Sequence, residues 1–363
     1  MNATQTRSPL VSIIINNYNY GHFLRDAIES ALSQTYDRIE VIVVDDGSTD
    51  NSRGVIAEYG HRLIPVLKEN GGQASAFNAG FAVSKGDIII FLDADDVLLP
   101  EAAQEIVKVW EPQLSKVQWR LQLVNEKLQL LPATWPSKWE RMPSGDLRAA
   151  ILRWRHYTCP PTSGNAFSRW LLEKILPMPE EEWRIAADSY LLSLAALYGE
   201  VRSIDKVLGY YRIHGSNLWY DESTNIHKLI QMVQTGNAQK RLLECAARNL
   251  GLNFEGRLIP LASKAELALA VLAPQQLKAL GMSANRLKIA FNGIRSSFIW
   301  PYFPSLWARV RLITWFALVA SLPRPLARRL ALFGVCPAIR PLWLARLLKV
   351  AEKLLPQGGT IDG

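Results

Sequence analysis

The sequence predicts an α/β protein with a mostly parallel sheet, followed by a helical and basic C-terminal region. Short apolar runs alternate with helical stretches between residues 10 and 100, which is typical of βαβ units. Several of these runs end in clusters of Asn and Asp, and strand signals nearly vanish beyond residue 220. We therefore expect an α/β domain over residues 8–220, in two halves at 8–100 and 101–220, and a helical region over 221–363.

Each element is predicted from its own pattern of apolar residues. The predicted strands of the first half are 11–15, 40–44, 61–67 and 87–92, and its predicted helices are 23–34 and 73–84. In the second half, the pattern predicts a helix at 100–110 and a hairpin over 117–131 that turns near Asn125. It also predicts helices at 145–154, 168–176 and 188–199. Helices separated by prolines account for the remainder.

Charge and cysteine content exclude several classes of protein. From Trp300 onward nine Lys and Arg residues stand against two acidic ones, so this region holds +7 of the formal net charge of +8. A basic groove for nucleic acid along the whole chain is therefore not expected. The three cysteines are far apart and form no CxxC pair, which indicates a reducing compartment without disulfides or structural zinc. The N-terminal residues lack the apolar run of a signal peptide, so we expect a cytoplasmic protein.

Carboxylates crowd the end of one predicted strand. The stretch FLDADD places Asp93, Asp95 and Asp96 within four residues. In a parallel α/β sheet, ligands bind beyond the carboxyl ends of the strands, so DADD should meet the polar stretches NNYNYG and DDGSTDNS that follow two other strands. Crowded carboxylates are costly unless a cation neutralises them, and a hard divalent ion can bridge them to a diphosphate.

Two other sites are excluded by spacing. A calcium-binding EF-hand loop starting at Asp93 would place Leu98 and Gln104 where Gly and Glu are needed. The turn NNYNYG lacks the GxGxxG of a nicotinamide-binding site. An Asp-rich turn that caps a helix remains the structural alternative.

Three stretches together resemble the family-2 glycosyltransferases, inverting enzymes whose GT-A fold binds a nucleotide sugar. They are VSIIINNYNYGHFLRDAIESALSQTY, EVIVVDDGSTDNS and NGGQASAFNAGFAVSKGDIIIFLDADD. The last of these is similar to the segment that leads into the family's metal-binding DxD motif. The resemblance covers roughly residues 8 to 217 and implies a sugar-nucleotide-binding first half and an acceptor-binding second half.

The resemblance implies a donor site for a UDP-, dTDP- or GDP-linked sugar. Asp46 matches the carboxylate that accepts from the imide N–H of the base, and Asp45 would hold a ribose hydroxyl. Asn16 would line the base pocket, and Tyr18 would either stack on the base or belong to the core. Asn78 falls in an A-x-N-x-G stretch of the donor site.

The same resemblance implies Mg²⁺ or Mn²⁺ as cofactor. Asp95 matches a direct metal ligand, Asp93 lies nearer the sugar or ribose and shares the metal, and His214 would complete the ligand set. Arg212 would pair with a phosphate. Asp96 would either support the ligands from behind or cap the next helix. Phe77 stands where the family often has Arg or Lys, which removes one expected phosphate contact.

Acceptor binding and catalysis are implied for the second half. Asp188 occupies the position of the catalytic base, which a single displacement at the anomeric carbon needs to take the acceptor's proton. An N-cap is the alternative for this residue, and Ala187 replaces the family's usual Glu. Gly164 and Asn165 match an acceptor-side segment, with a loop that starts a helix as the alternative.

The C-terminal region lies outside the resemblance and mixes Trp and Leu with Arg. No stretch reaches the length of an uncharged spanning helix, and the composition favours helices that lie on an anionic membrane surface, at the inner face of the membrane. Burial of these faces in a helical subdomain or homodimer is the alternative. We expect transfer of a sugar to a carbohydrate or lipid-linked acceptor. The alternative is a sugar-nucleotide-binding or membrane-assembly protein that keeps the fold without catalysis.

Overall fold

Strands and helices alternate along the first part of the chain, as its apolar pattern predicts. The computed structural model describes residues 8–335 except 216, 218–225, 258 and 301–305. The chain divides into two units. The first contains the residues up to Ile151 together with Tyr157–His214, and the second contains Leu152–His156 together with the residues from Gly215 onward.

The first unit is built on one sheet. Its strands are β1 Val11–Asn17, β2 Ile39–Asp46, β3 Ile64–Lys68, β4 Ile88–Asp93, β5 Val97–Leu98, β6 Leu114–Asn125, β7 Leu130–Trp135, β8 Asn165–Ser168 and β9 Glu200–Ile213. Its helices are α1 Gly21–Leu32, α2 Ser52–Ala57, α3 Gln73–Val83, α4 Ala102–Lys108, α5 Arg148–Trp154, α6 Arg169–Ile175 and α7 Ala187–Tyr198, and α5 runs on into the second unit.

The sheet is parallel in its first part and mixed beyond it. The strand order is β3-β2-β1-β4-β8-β6-β9-β5, with β7 paired to β6. The neighbours β3-β2, β2-β1 and β1-β4 are parallel, whereas β8 pairs antiparallel with both β4 and β6. The predicted hairpin is confirmed as β6 and β7. The sequence prediction missed α2, β5, β8 and β9, of which three are six residues or shorter.

The central strands are buried because helices cover the sheet. Ile13, Ile15, Ile88 and Ile90 are fully buried in one hydrophobic cluster, as expected for a parallel strand with both faces covered. Helix α3 lies so close to the sheet that a Cβ at Gly80 would stand 2.4 Å from Ile14. This packing holds the carboxyl ends of β1 and β4 in fixed register.

The second unit is helical in its described residues. Its helices are α8 Ile226–Asn249, α9 Pro260–Leu272, α10 Pro274–Ala279, α11 Arg286–Ile299, α12 Leu306–Ser321 and α13 Arg324–Val335. They share a hydrophobic cluster that includes Leu267, Leu277 and Phe316. Over the described ranges, none of the helices combines the length and the apolar character needed to cross a bilayer.

Candidate active site

The polar ends of three parallel strands meet at one edge of the sheet. The register pairs Asn16 at the end of β1 with Asp93 at the end of β4. On its other side, β1 pairs Asn17 with Asp45 at the end of β2. The strands lie side by side, so side chains far apart in the chain become neighbours, as the sequence predicts.

Asn16 and Asp93 form the centre of this edge. Asn16 Nδ2 donates to Asp93 Oδ1 at 2.8 Å, while Asn16 Oδ1 is buried without a hydrogen-bond partner among the described residues. A buried acceptor that lacks a donor is unusual in a folded protein. The orphaned oxygen therefore marks a place where a ligand's O–H or N–H would be stabilised.

Negative charge from other carboxylates acts on Asp93. Burial and the negative charges of Asp95 and Asp188 raise the pKa of Asp93 to about 7, although the hydrogen bond from Asn16 opposes this shift. Asp188 belongs to α7, more than ninety residues later in the chain. The predicted catalytic base thus contributes to the electrostatics of the DxD carboxylates.

The Asp95 carboxylate contacts an imidazole. His214 Nε2 lies 3.0 Å from Asp95 Oδ2, and both side chains are largely buried. The His214 ring packs against Tyr20 and Phe23, with centroid distances of 5.4 Å and 4.9 Å. The structure thus joins two of the three metal ligands that the resemblance implied.

Asp96 has a structural position behind this pair. Ser163 Oγ donates to Asp96 Oδ2 at 2.6 Å, and the backbone N–H of Arg212 donates to Asp96 Oδ1 at 3.0 Å. Burial and the charges of Asp95 and Asp93 raise the pKa of Asp96 well above its ordinary value. The helix-cap alternative does not hold, since the residue before α4 is Glu101 and no side chain caps that helix.

A divalent cation fits the chemistry of this cluster. It would offset the repulsion among the carboxylates, and Asp95 and His214 offer an oxygen and a nitrogen at contact distance. In the part of the chain that the structure describes, however, no group of three or more His, Cys, Asp or Glu side chains is arranged to hold a metal ion. A cation here would need further oxygen ligands from a substrate, and a diphosphate carries them. Ligation by Asp93 remains a prediction.

The two aspartates that end β2 are engaged with the protein. Asp45 accepts from Asn17 Nδ2 at 3.0 Å, from the backbone N–H of Ser48 at 3.2 Å and from Arg53 Nε at 2.8 Å. These contacts fix the turn after β2. The predicted contact of Asp45 with a ribose hydroxyl remains a prediction.

Asp46 closes the turn that leads into α3. It accepts from Lys68 Nζ at 2.7 Å and from the backbone N–H groups of Gly71 and Gly72 at 2.9 Å and 2.7 Å. A carboxylate has about four acceptor positions, so this one keeps little capacity beyond its protein partners. The predicted contact with the imide N–H of a base would use what remains.

Asp188 lies in the first turn of α7. The residue at the N-cap is Ala186, which makes no side-chain cap, so the N-cap alternative for Asp188 does not hold. The backbone N–H of Ser189 donates to Asp188 Oδ1 at 2.7 Å. Burial raises the pKa of Asp188 above its ordinary value, which makes the carboxylate a better proton acceptor.

Gln73 connects the two halves of the site and was missed in the sequence. Its Nε2 donates to Asp93 Oδ1 at 3.4 Å, and its Oε1 accepts from the backbone N–H of Ala187 at 2.9 Å. The preceding Gly72 has φ +87°, and a Cβ there would stand 2.4 Å from the Arg184 side chain. The two glycines before Gln73 were the sequence signal that another part of the chain packs closely against the backbone here.

The two residues assigned to the acceptor side are buried in the protein. Asn165 Oδ1 accepts from Lys116 Nζ at 2.8 Å, and Asn165 Nδ2 donates to the carbonyl of Pro161 at 2.7 Å. A Cβ at Gly164 would stand 2.5 Å from Pro160, so only glycine fits there. Both residues shape the loop whose Ser163 holds Asp96. A direct contact with the acceptor remains a prediction.

Three further predicted donor residues have different surroundings. The Arg212 guanidinium is buried, donates to Asp26 Oδ2 at 2.7 Å and to the Asp95 carbonyl at 2.8 Å, and therefore holds the DxD turn. Asn78 exchanges two hydrogen bonds of 3.0 Å with the backbone of Met178. Tyr18 is 48% exposed at the end of β1, as a stacking residue would be. The phosphate contact of Arg212 and the place of Asn78 in the donor site remain predictions.

Comparison with known proteins finds a family match for part of the chain. Residues 12–168 match the family model described as glycosyl transferase family 2. An uncharacterized glycosyltransferase of Nostoc sp. is 42% identical over 215 residues, which are 57% of this chain and 66% of that protein. An uncharacterized glycosyltransferase of Rickettsia prowazekii is 45% identical over 102 residues, or 28% of this chain and 32% of that protein. The chain therefore spans under two thirds of each relative's length.

One solved structure is similar over most of the chain. The crystal structure of S. aureus TarS 1-349 in complex with UDP-GlcNAc matches with a TM-score of 0.53, covering 89% of this chain and 90% of that one. The sequence identity is 15%, so this similarity concerns the fold alone. Together with the family match, it confirms the predicted GT-A fold class.

Proposed function

Because residues 12–168 belong to glycosyl transferase family 2, we propose that the protein is an inverting, metal-dependent glycosyltransferase. It moves a sugar from a nucleotide-diphosphate donor to the hydroxyl of a carbohydrate or lipid-linked acceptor. The observation that carries this proposal is the meeting of Asn16, Asp93 and the Asp95–His214 pair at one sheet edge. Gln73 connects Asp93 by hydrogen bonds to the start of the helix that carries Asp188. The reaction is assigned to residues 8–220.

Asp188 performs the proton transfer in this proposal. The acceptor oxygen attacks the anomeric carbon, its proton passes to the Asp188 carboxylate, and the bond from that carbon to the diphosphate oxygen breaks. One displacement inverts the anomeric centre, so no covalent sugar–enzyme bond is needed. The raised pKa of Asp188 suits this role, because a stronger base takes a hydroxyl proton more readily.

The donor is held by the strand ends. Asp95 and His214 would hold Mg²⁺ or Mn²⁺, and a bound divalent ion supplies positive charge to the leaving diphosphate. Asn16 would accept from a donor hydroxyl or N–H through its orphaned Oδ1, and Tyr18 would cover the base. TarS was crystallised with UDP-GlcNAc, so a UDP-sugar is the first donor to test.

The test is nucleotide release from a panel of UDP-, dTDP- and GDP-sugars, measured in Mn²⁺, in Mg²⁺ and in EDTA. We expect release with one donor class and none in EDTA. The affinity of Asp95→Ala for the matching nucleotide diphosphate, measured by calorimetry, should fall more than about tenfold. Replacing a residue that only supports a metal ligand costs about 10–100-fold in affinity, and replacing the ligand itself should cost at least as much. The control is Asp37→Ala, an exposed carboxylate before β2. Nucleotide binding without release from any donor would favour a non-catalytic binding protein.

A further inference from the structure

Helix α11 buries mostly small residues on one side and exposes four large apolar residues on the other. Its buried residues are Ile289, Ala290, Gly293, Ser296 and Ser297. Its exposed residues include Leu287, Phe291, Phe298 and Ile299, which are 68%, 65%, 63% and 42% exposed and which we call the α11 outer face. Large apolar side chains normally point into the protein, so this reversed arrangement needs a reason.

The packing of α11 within its unit fixes which side is outside. A Cβ at Gly293 would stand 2.4 Å from the ring of Phe316 on α12, so this position admits only glycine. The hydroxyls of Ser296 and Ser297 donate to the Gly293 carbonyl at 2.9 Å and 2.7 Å. The helix cannot rotate its aromatic residues inward without losing this close contact.

The outer face has the geometry of a helix that lies on an apolar surface. At about 100° per residue, Leu287, Phe291 and Phe298 fall within an arc of about 40°. Lys288 and Arg295 follow on one side of this arc, and both are exposed. Basic side chains beside an apolar stripe are the composition of helices bound at membrane surfaces, where the cation reaches the headgroups and the ring enters the acyl boundary.

The sequence around α11 carries charge of a single sign over a long stretch. Residues 267–351 contain 12 Lys and Arg residues and no Asp or Glu. The stretch includes α11, α12 and α13, and α12 also exposes the large apolar residues Leu306, Val310 and Leu318. A protein partner with a mixed surface would require some negative charge here, whereas an anionic surface requires none. The complementary partner is therefore anionic and apolar at once, which describes an anionic lipid bilayer.

We propose that the α11 outer face docks the protein on an anionic phospholipid bilayer. The sequence alone indicated the region from Trp300 onward, and the structure adds the preceding helix as an apolar contact. Docking would hold the candidate active site near a lipid-linked acceptor, and only this role rests on the proposed function.

The test uses full-length protein and sedimentation with phosphatidylcholine vesicles, with and without phosphatidylglycerol. We expect binding to the anionic vesicles at low salt and release at high salt, because charge attraction is screened. The variant Phe291→Ser/Phe298→Ser should bind at least about tenfold more weakly, since it loses two inserting rings. The matched control is Leu130→Ser/Leu261→Ser, which replaces side chains that are 66% and 62% exposed elsewhere.

Each contrary result overturns the inference. Wild-type protein that stays in the supernatant with anionic vesicles at low salt excludes membrane docking, and equal binding of the Phe variant excludes this face. A wild-type dimer that the Phe variant converts to monomer, without a change in vesicle binding, assigns the face to a second copy. Oxidative footprinting of Phe291 and Phe298 in the wild type, with and without vesicles, gives an answer that does not depend on how a variant folds.

Nucleotide release separates this inference from the proposed function. The Phe variant should release nucleotide from a donor at the wild-type rate with a soluble acceptor. If release is absent in wild-type protein while vesicles are bound, the docking face stands and the proposed function fails.

Discussion

Asp188 combines two properties that a proton acceptor needs. Burial raises the pKa of its carboxyl group. The preceding residue, Ala187, donates its N–H to Gln73, which in turn donates to Asp93. The backbone N–H of Ser189 fixes one carboxylate oxygen. The side chain is therefore both oriented and a stronger base than an ordinary aspartate.

Replacing this carboxylate should separate binding from catalysis. We expect Asp188→Asn to keep the affinity for nucleotide diphosphate and to lose about 10²–10⁴ in transfer rate, because the amide cannot accept the proton. Calorimetry and nucleotide release on the same preparation measure the two effects. Transfer at the wild-type rate would assign the base to another residue.

Lys116 is another buried charged residue of the first unit. Its Nζ donates to Asn165 Oδ1 at 2.8 Å and lies 4.9 Å from the centre of the Tyr157 ring. Burial lowers the pKa of Lys116 to about 8. A neutral amine keeps a donor for Asn165, so the loop that holds Asp96 stays in place in either charge state.

The burial of Lys116 predicts a pH effect on stability. Between about pH 8 and 10.5 the unfolded chain binds the Lys116 proton and the folded chain does not, so the free energy of unfolding should rise with pH in this window. The rise should reach at most about 3.5 kcal/mol, because the pKa falls from 10.5 to about 8 and each pKa unit corresponds to about 1.4 kcal/mol. Urea unfolding across the window, compared with Lys116→Met, measures it.

The matched control for this effect is an exposed lysine. Lys85→Met removes an ammonium that lies at the surface, so it should leave the slope of stability against pH as in the wild type. A slope that Lys116→Met also leaves unchanged would show that Lys116 titrates normally.

At the scale of elements, the start of α7 is strained. Ala186 has φ 63°, a left-handed conformation that L-residues with a Cβ avoid, and it directly precedes the helix that carries Asp188. The contact from Gln73 to Ala187 and the hydrogen bond from Gln73 N–H to the Arg184 carbonyl hold the turn in this form. Strain of this kind persists only where the surroundings impose it, and it is common at functional sites.

Relief of this strain should stabilise the protein. We expect Ala186→Gly to raise the free energy of unfolding by about 0.5–1 kcal/mol, since glycine adopts positive φ without a Cβ clash. The contrasting variant is Ala317→Gly, an exposed position inside α12, which should lower it by a similar amount. Thermal or urea unfolding of both variants measures the two changes in the free energy of unfolding, which should have opposite signs. A destabilised Ala186→Gly would show that the turn is not strained.

At the scale of the whole molecule, a short segment that interrupts the first unit in sequence belongs to the second unit. Residues 152–156 separate Ile151 from Tyr157, which both lie in the first unit. Trp154 packs edge-on against Trp300 at 5.4 Å, and Arg155 donates to the Gly236 carbonyl at 2.9 Å. The second unit is therefore assembled from two separate stretches of chain.

Loss of this anchor should destabilise the second unit. We expect Trp154→Ala to lower the free energy of unfolding by about 3–5 kcal/mol, because it removes a nearly fully buried indole. Trp139→Ala is the control, since Trp139 is 70% exposed and should change stability by less than about 0.5 kcal/mol. Urea unfolding followed by circular dichroism measures both. Equal stability of the two variants would contradict the assignment of residues 152–156.

Local patterns in the sequence predict the parallel part of the sheet and the family resemblance. The apolar runs of β1, β2 and β4 predicted buried parallel strands, and the polar stretches after them predicted a site at their carboxyl ends. Both properties are local, since a run of Ile and Val or an Asp after a strand is visible without knowledge of its neighbours. The motif combination predicted the family, which the match of residues 12–168 confirms.

The contact partners of these residues depend on tertiary packing. Gln73, Lys116 and Ser163 contact residues between 20 and 114 positions away in the chain, and no local pattern marks such pairs. Packing also turned Arg212 and Asn165 inward, where they hold the turns around Asp95 and Asp96. The orientation of α11 could likewise not be predicted, because the helix has apolar residues on both sides. The close contact of Gly293 with Phe316 determines which side is buried. Sequence periodicity therefore indicates which residues could form a site, and long-range packing determines which of them are in contact.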